Sequence, residues 1–386
     1  MRDAVICAAV RTPVGKRGGG LSGVHAVDLS AHVLESLVQR AGLDPALVDD
    51  VFWGCVSQVG EQTYNVGRTA ALAAGWPESV PGTTIDRQCG SSQQAVAFAA
   101  ATVISGQADV VVAGGVESMS RVPMGSSSNE AAGAGRPLGP RFMERYGVAP
   151  NQGVGAEMMA ERWGFSRAQL DEFSLASHEK AAKARADGAF DEEIAPVTTP
   201  DGTVVGADEG IRPGGTLEKL GSLKTPFKAD GVISAGNASQ ISDGAAALLV
   251  TTSEKARELG LRPLVRIHTT VMAGDDPVIM LTAPIPATHK VLARSGLSVG
   301  DIGVFEVNEA FAPVPLAWQV ETGADPDRLN PRGGAIALGH PLGGSGARIM
   351  TTLVHTMLAG GVRYGLQTMC EGGGMANATV LELVDD

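Results

Sequence analysis

The sequence predicts an α/β fold built from two copies of one unit, with a long insertion in the first copy. Three observations carry that expectation. Short β-branched runs, apolar on both faces, alternate with alanine-rich stretches of helical length, the pattern of buried strands covered by helices. Matching features recur in the same order about 250 residues apart, as in a duplicated domain. Glycine supplies 51 of 386 residues while aromatics make up 4%, a bias toward tight turns and close backbone approach over aromatic platforms.

Taken in order, Met1 to Gly20 holds a seven-residue apolar stretch, Ala4 to Val10, with charge on both sides. It reads as a first strand, Asp3–Ala9, and lacks the small-residue cleavage site of a signal peptide. Further strands are expected at Asp50–Cys55, Asp109–Ala113, Ala246–Thr252, Val304–Asn308 and Gly365–Met369. Helices are expected at Leu29–Ala41, Ser91–Ser105, Arg167–Asp187, Pro286–Ser295 and Ser345–Ala359. The duplication rests on three ordered matches. Leu43–Val56 resembles Leu297–Glu309, with Val-Phe pairs 253 residues apart; a glycine-rich turn onto a helix holds Cys89 in one half and His340 in the other, 251 apart; and a strand ending in glycines closes each half, at Gly114-Gly115 and Gly372-Gly373, 258 apart. Between the halves, the texture shifts to Gly, Pro and charge, including SSSNEAAGAGRPLGP and one long helix. That stretch is too long for a simple connection and reads as an inserted domain covering a site, or as a floppy excursion. The expected boundaries are 1–116 and 240–260 for the first half, 117–239 for the insertion and 261–386 for the second half.

Composition excludes several classes. Hydrophobic residues at 44% with 19% charged are enough for a large core, so the chain is not disordered. Thirty Lys and Arg against 42 Asp and Glu give −12, without the electrostatic footprint of a nucleic-acid binder. No window approaches 18 continuous apolar residues, so no membrane partner is expected. Cys7, Cys55, Cys89 and Cys370 show no C-x-x-C spacing, and Leu383-Val384-Asp385-Asp386 carries no targeting address. These features suggest reduced thiols and a cytoplasmic protein. No metal-ligand cluster, dinucleotide fingerprint or P-loop is visible where one is needed, so no tightly bound cofactor or metal is expected.

Four residues stand out chemically. Cys89, in DRQCGSSQQA, follows a β-branched run and opens a helix, where exposed N–H groups favour thiolate; packing is the alternative. Cys7 and Cys55, inside apolar runs, take the packing reading. His340 sits in GGAIALGHPLGGSG, its backbone biased out of the α region by Pro341. It reads as a proton acceptor for a thiol, or as a solvent-facing turn residue. Cys370 precedes Gly372-Gly373-Gly374, a glycine run able to present backbone N–H groups to a ligand as an oxyanion hole does. Asn308 ends a strand and reads as a site residue or as a cap on the following helix.

QCGSSQQA at Cys89, NEAFA from Asn308, GGAIALGHPLGGSGAR and MCEGGGMA from Met369, in this order and with ISAGNASQISDGAAA from Ile233, resemble the thiolase family over essentially the whole chain. GEQTYNVGR, DRQCGSSQQA and LQTMCEGGG are most similar to its bacterial degradative and actinobacterial steroid-catabolic branch. The resemblance implies a duplicated five-layered α-β-α-β-α core with a loop domain inserted in the first half. It implies a homodimer or homotetramer that uses coenzyme A and acyl-CoA as substrates, not as a resident cofactor. It further implies ping-pong acyl transfer through a thioester on Cys89. His340 would activate that thiol, and Cys370 would be the acid/base at the α-carbon. One oxyanion hole would use His340 with a water held by Asn308, the other the N–H groups of Cys89 and Gly372. Arg212, Phe227 and Ser239 match positions near coenzyme A, with Lys219 as a further cation, while Met280 and Phe311 match acyl-pocket or pantetheine contacts. Asn151-Gln152 replaces the His-Met pair that limits the short-chain pocket, which points to a 3-ketoacyl-CoA larger than acetoacetyl-CoA. Glu371 replaces the usual apolar residue after the second cysteine and either raises the pKa of Cys370 or reaches solvent. The competing readings are a short-chain biosynthetic acetoacetyl-CoA thiolase, a ketosynthase-like condensing enzyme, and a catalytically silent acyl-CoA or lipid-binding relative. Cys370 argues against the ketosynthase, and the intact set of four against the silent relative.

Overall fold

The computed structural model describes residues 2–128, 133 and 135–384. Part of the expected SSSNEAAGAGRPLGP loop (129–132 and 134) and the last two residues of the carboxyl terminus lie outside the described residues. The chain opens with β1 (Val5–Arg11), β2 (Gly15–Lys16), α1 (Ala26–Ala41), β3 (Asp50–Gly54), α2 (Val66–Ala73), β4 (Thr83–Ile85), α3 (Ser91–Ser105) and β5 (Val110–Ser118). A long excursion follows, with α4 (Pro140–Tyr146), α5 (Gln152–Trp163), α6 (Arg167–Ala186), β6 (Val197–Thr198), β7 (Val204–Val205) and α7 (Leu217–Gly221). β8 (Ser242–Thr251) and α8 (Ser253–Leu259) then return to the first half. The remainder is β9 (Val265–Gly274), α9 (Pro284–Ser295), β10 (Val304–Val307), α10 (Pro313–Thr322), α11 (Ala335–Leu338), α12 (Ser345–Gly360), β11 (Tyr364–Glu371) and β12 (Met375–Leu383).

Strand order shows the duplication directly. The first half runs β1-β8-β5-β3-β4 and the second β9-β12-β11-β10. In each, two antiparallel pairings are followed by a parallel one (β3 with β5, β10 with β11). A parallel bridge from Phe305 to Leu329 stands where β4 pairs with β3 in the first half. Among the described residues, the strands of the two halves pair through β1 and β9, Val5 with Arg266 and Ile6 with Val265.

The strands are buried on both faces, so each face needs its own cover. One face of the first half packs on α1 and α2 through Leu34, Leu37, Val51, Trp53, Val112 and Leu249. One face of the second packs on α9 and α10 through Val291, Phe305, Trp318, Leu366 and Val380. Between them, α3 and α12 share a core with the inner faces, including Val96, Val111, Leu248, Val304, Met350 and Leu381. The result is five layers, helix–sheet–helix–sheet–helix. The central helices approach so closely that a side chain on Gly346 would strike the backbone nitrogen of Gln93. Buried polar bonds stitch the halves: Ser92 Oγ accepts from Ala347 N at 2.9 Å, and Gln93 Nε2 donates to Thr379 Oγ1 at 3.1 Å.

Some expectations need correction. Gly114 and Gly115 do not end a strand; they lie inside β5, which runs to Ser118, past the expected boundary at 116. They are glycines because side chains there would collide with the backbone of Ala246 and Gly343. Gly372 to Gly374 instead form the turn joining β11 to β12, where Glu371 pairs with Met375. The third sequence match is therefore coincidental in position. The strands not anticipated are the short β2, β4, β6 and β7 and two long ones: β9, whose outward residues are partly exposed, and β12, whose apolar run is broken by Asn, Thr and Glu.

Candidate active site

The two central helices begin where the halves meet, and each is preceded by one of the singled-out residues. Cys89 lies two residues before α3 and shares a buried cluster with Met119, Leu342, Ile349 and Met369. The turn onto the helix is set by Ser91, whose Oγ donates to Gln88 O at 2.5 Å and accepts from Arg87 N at 2.9 Å. Gln88 adopts φ +48°, which places the thiol on a tight bend. The expected low-pKa thiolate is not what the resting site favours. Burial, then the carboxyl of Glu371, push the Cys89 thiol up to about 12, outweighing the helix end.

His340 lies between α11 and α12 and is 4% exposed, which removes the solvent-facing reading. Its backbone N–H donates to Ser242 Oγ at 3.1 Å, fixing the loop to β8. Its Nδ1 meets Ser345 Oγ at 2.6 Å, and that hydroxyl donates its one hydrogen to Pro341 O at 2.8 Å. Ser345 can then only accept from the ring, so the network assigns the hydrogen to Nδ1 and leaves Nε2 as a bare lone pair. Nε2 is buried and has no partner among the described residues. Burial, with Arg348 nearby, pushes the ring down to about 3, so it rests neutral. With thiol and imidazole both neutral at rest, a proton passing from one to the other would move during attack, not before it.

The loop carrying His340 is held from two sides. Glu117 accepts from Gly343 N at 2.9 Å, Val56 N at 3.0 Å and Ser57 N at 3.0 Å. Glu309 accepts from Ser177 Oγ at 2.6 Å, Asn330 Nδ2 at 2.9 Å and Ile336 N at 3.2 Å. Gly339 is required between them: its φ is +101°, and a Cβ would strike Ser242 Oγ and stand 2.7 Å from Val14. Gly339→Ala is expected to lower kcat about 10- to 100-fold with little change in coenzyme A affinity, because misplacement of about an ångström is costly in catalysis. Steady-state kinetics beside direct binding checks it; an equal loss in both would show general disruption.

Asn308 follows β10. The capping reading fails, since α10 begins at Pro313 with Ala312 at its N-cap and no side-chain cap, and both Asn308 Nδ2 and Oδ1 are buried without partners among the described residues. Cys370, near the end of β11, is 1% exposed and packs with Ala156, Met159, Met280 and Phe311. Burial raises its thiol well above the ordinary range, and Cys89 and Glu371 add to the rise. Met369, the residue before Cys370, shares the buried cluster of Cys89, so the two cysteines flank one region of the core.

A cavity of ≈ 440 Å³ lies in front, lined by Lys16, Arg17, Arg212, Phe227, Ser234, Ser239 and Gln240 among others. Three of the expected coenzyme A residues thus come together, joined by two cations and a glutamine that sequence reasoning passed over. Their signal was the GKRGGG turn after the first strand. Phe227 meets Phe311 edge-on at 6.2 Å, and Ser239 N donates to Ala310 O at 2.9 Å, so the cavity adjoins the cluster holding Cys370. Other expected residues stand apart. Lys219 is exposed on α7 and does not line this cavity. The side-chain oxygen of exposed Asn151 caps α5, accepting from Gly153 N at 2.9 Å, and Gln152 is the first residue of that helix. Met280 reaches the Cys370 cluster from a loop at φ +65°.

Two buried thiols, a neutral imidazole and a cationic cleft thus lie where two like halves meet, a set of groups suited to acyl transfer. The family comparison agrees. "Thiolase, N-terminal domain" matches residues 4–254 and "Thiolase, C-terminal domain" residues 261–383. The chain is 49% identical to the steroid 3-ketoacyl-CoA thiolase FadA6 of Mycobacterium tuberculosis, over 99% of this chain and 94% of that protein. It is 46% identical to a β-ketoadipyl-CoA thiolase of Escherichia coli over the whole of both chains. The crystal structure of the Bacillus anthracis acetyl-CoA acetyltransferase superposes with a TM-score of 0.92 at 40% identity, covering 100% of this chain and 99% of that one. The chain belongs to the thiolase family.

Proposed function

We propose that the protein is a degradative thiolase that cleaves a 3-ketoacyl-CoA larger than acetoacetyl-CoA, derived from a fatty acid or a steroid. The carrying observation is the cationic cavity that adjoins, through Phe227 and Phe311, the apolar cluster holding Cys370. Arg212, Lys16 and Arg17 suit the phosphates of coenzyme A, and Phe227 and Ser239 its adenine and pantetheine portions. The names of the mycobacterial relative and of the 44%-identical 3-ketoacyl-CoA thiolases support the larger substrate.

In this reading the Cys89 sulfur attacks the 3-keto carbon while its proton passes to His340 Nε2. The oxyanion is held by protonated His340 and by a water on Asn308. The C2–C3 bond breaks, and the electron pair left on C2 of the departing acetyl-CoA takes the proton of Cys370. Coenzyme A then gives its thiol proton to Cys370 and attacks the Cys89 thioester, with the oxyanion now at the N–H groups of Cys89 and Gly372. Acyl-CoA leaves, and Cys89 recovers its proton from His340. Each oxyanion donor contributes roughly 3 kcal/mol. Acyl-CoA and coenzyme A are the small-molecule partners, and assembly as a cytoplasmic homodimer or homotetramer belongs to the same reading. Among the described residues no helix is long and apolar enough to cross a membrane.

The test is coenzyme A-dependent thiolysis of acetoacetyl-CoA, a medium-chain and a bulky 3-ketoacyl-CoA, with intact-mass analysis of the acylated protein. Faster cleavage of a longer or bulkier substrate is the expected result. Turnover of acetoacetyl-CoA alone would make this a short-chain enzyme.

A further inference from the structure

Glu371 is a buried ionisable group that the reaction scheme does not use. It ends β11 next to Cys370, and because successive strand residues face opposite ways, its carboxyl turns from the Cys370 cluster toward the start of α3. A Cβ on Gly90, the residue after Cys89, would collide with both Glu371 Oε1 and Asn377 Oδ1. Both oxygens therefore lie against the backbone of Gly90, under the Cys89 turn. Glu371 is fully buried, and Oε1, Oε2 and Asn377 Oδ1 all lack a partner among the described residues. The backbone N–H of Asn377 favours the carboxylate, but none of the three oxygens has a hydrogen bond of ordinary geometry among the described residues, and one proton shared between them relieves that cost. Asn377 is oriented for this, since its Nδ2 donates to Gln94 Oε1 at 3.3 Å and so leaves Oδ1 toward Glu371.

We propose that Glu371 is a positioning residue that works as the neutral acid, donating its O–H to Asn377 Oδ1 beneath Cys89, and that losing this proton switches off both catalytic thiols. The proposal rests on the roles given to Cys89 and Cys370 above. Burial raises the Glu371 carboxyl to about 8 against the opposing pull of Arg87, so the acid form prevails at neutral pH. The charged and titratable groups around it are Arg87 on the preceding loop and the two thiols, with Asp86 and Glu117 also acting on Cys89. An anionic Glu371 opposes thiolate at both cysteines. Glu371 thus sets an alkaline limit to thiolate formation at both cysteines.

Iodoacetamide alkylation of Cys89, mapped by peptide mass, reads this without turnover. The ratio of the Glu371→Gln rate to the wild-type rate is expected to be several-fold larger at pH 9 than at pH 6.5. The gap between them opens near pH 8. Asn377→Ala, which removes the acceptor for the acid form, moves that midpoint to lower pH. Glu371→Met, also uncharged, repeats the comparison if the glutamine variant does not fold. Thiolysis by the wild-type enzyme loses kcat/KM above about pH 8 relative to the uncharged variants. The same alkylation ratio at both pH values, or coincident alkaline limbs, overturns the proposal. Absence of an acyl adduct on wild-type Cys89 would instead overturn the role of that thiol, and the alkylation ratio would still report on Glu371.

Discussion

Cys89→Ala is expected to lower kcat for thiolysis by on the order of 10⁴-fold or more, and to leave no acyl adduct on the protein. No other described thiol has its surroundings. Cys7 and Cys55 are buried in the outer core of the first half, in a cluster separate from that of Cys89. Coenzyme A binding persists, because the cavity lined by Arg212, Phe227 and Ser239 does not include Cys89. The companion is Cys370→Ala, which is expected to accept an acyl group on Cys89 from acyl-CoA while losing carbon–carbon bond cleavage to a similar degree. Intact mass beside a thiolysis assay separates the two. Substantial residual turnover in Cys89→Ala would remove it as nucleophile, and loss of acylation in Cys370→Ala would reassign that residue.

Arg11→Ala is expected to cost on the order of 4 kcal/mol of stability, read as a shift of the urea midpoint. Arg11 is wholly buried at the end of β1, with Nε 2.6 Å from Glu193 Oε1 and its two terminal nitrogens on Asp208 at 2.7 and 2.9 Å. Removing it strands two buried carboxylates. They also hold other parts of the fold: Glu193 Oε1 accepts from Thr352 Oγ1 of α12 at 2.9 Å, and Asp208 Oδ1 from Val14 N at 2.8 Å. The guanidinium is what binds the excursion to the first strand and the central helix. Adding Glu193→Gln and Asp208→Asn to Arg11→Ala is expected to recover part of the loss, because neutral amides cost less to bury unpaired. A midpoint shift worth under about 1 kcal/mol would show that the site relaxes or hydrates instead.

Much of the fold was legible because its signals are local. The helix Ser91–Ser105 is found where the sequence places it, and β3 and β10 each follow a short turn opened by Asp44 or Ser298, as the repeated Leu43–Val56 and Leu297–Glu309 segments suggest. The missed strands failed for a local reason too: β12 contains Asn377, Thr379 and Glu382, and nothing in its own letters says that β9 and β11 will flank it. Gly114-Gly115 and Gly372-Gly373 look alike as letters, yet one pair admits neighbouring backbone inside a strand and the other belongs to a hairpin turn.

The sequence by itself determined the α/β alternation, the duplication and the residues equipped for acyl transfer, because strand and helix periods and thiol or imidazole chemistry reside in the residue types. Only the tertiary structure decided their states. Burial left Cys89 a thiol and His340 neutral, Ser345 chose the imidazole tautomer, and the packing of β11 and β12 against α3 set Glu371 and Asn377 together under Gly90. These outcomes depend on desolvation and on partners up to 290 residues away in the chain, such as Gly90 and Asn377, which no local pattern encodes.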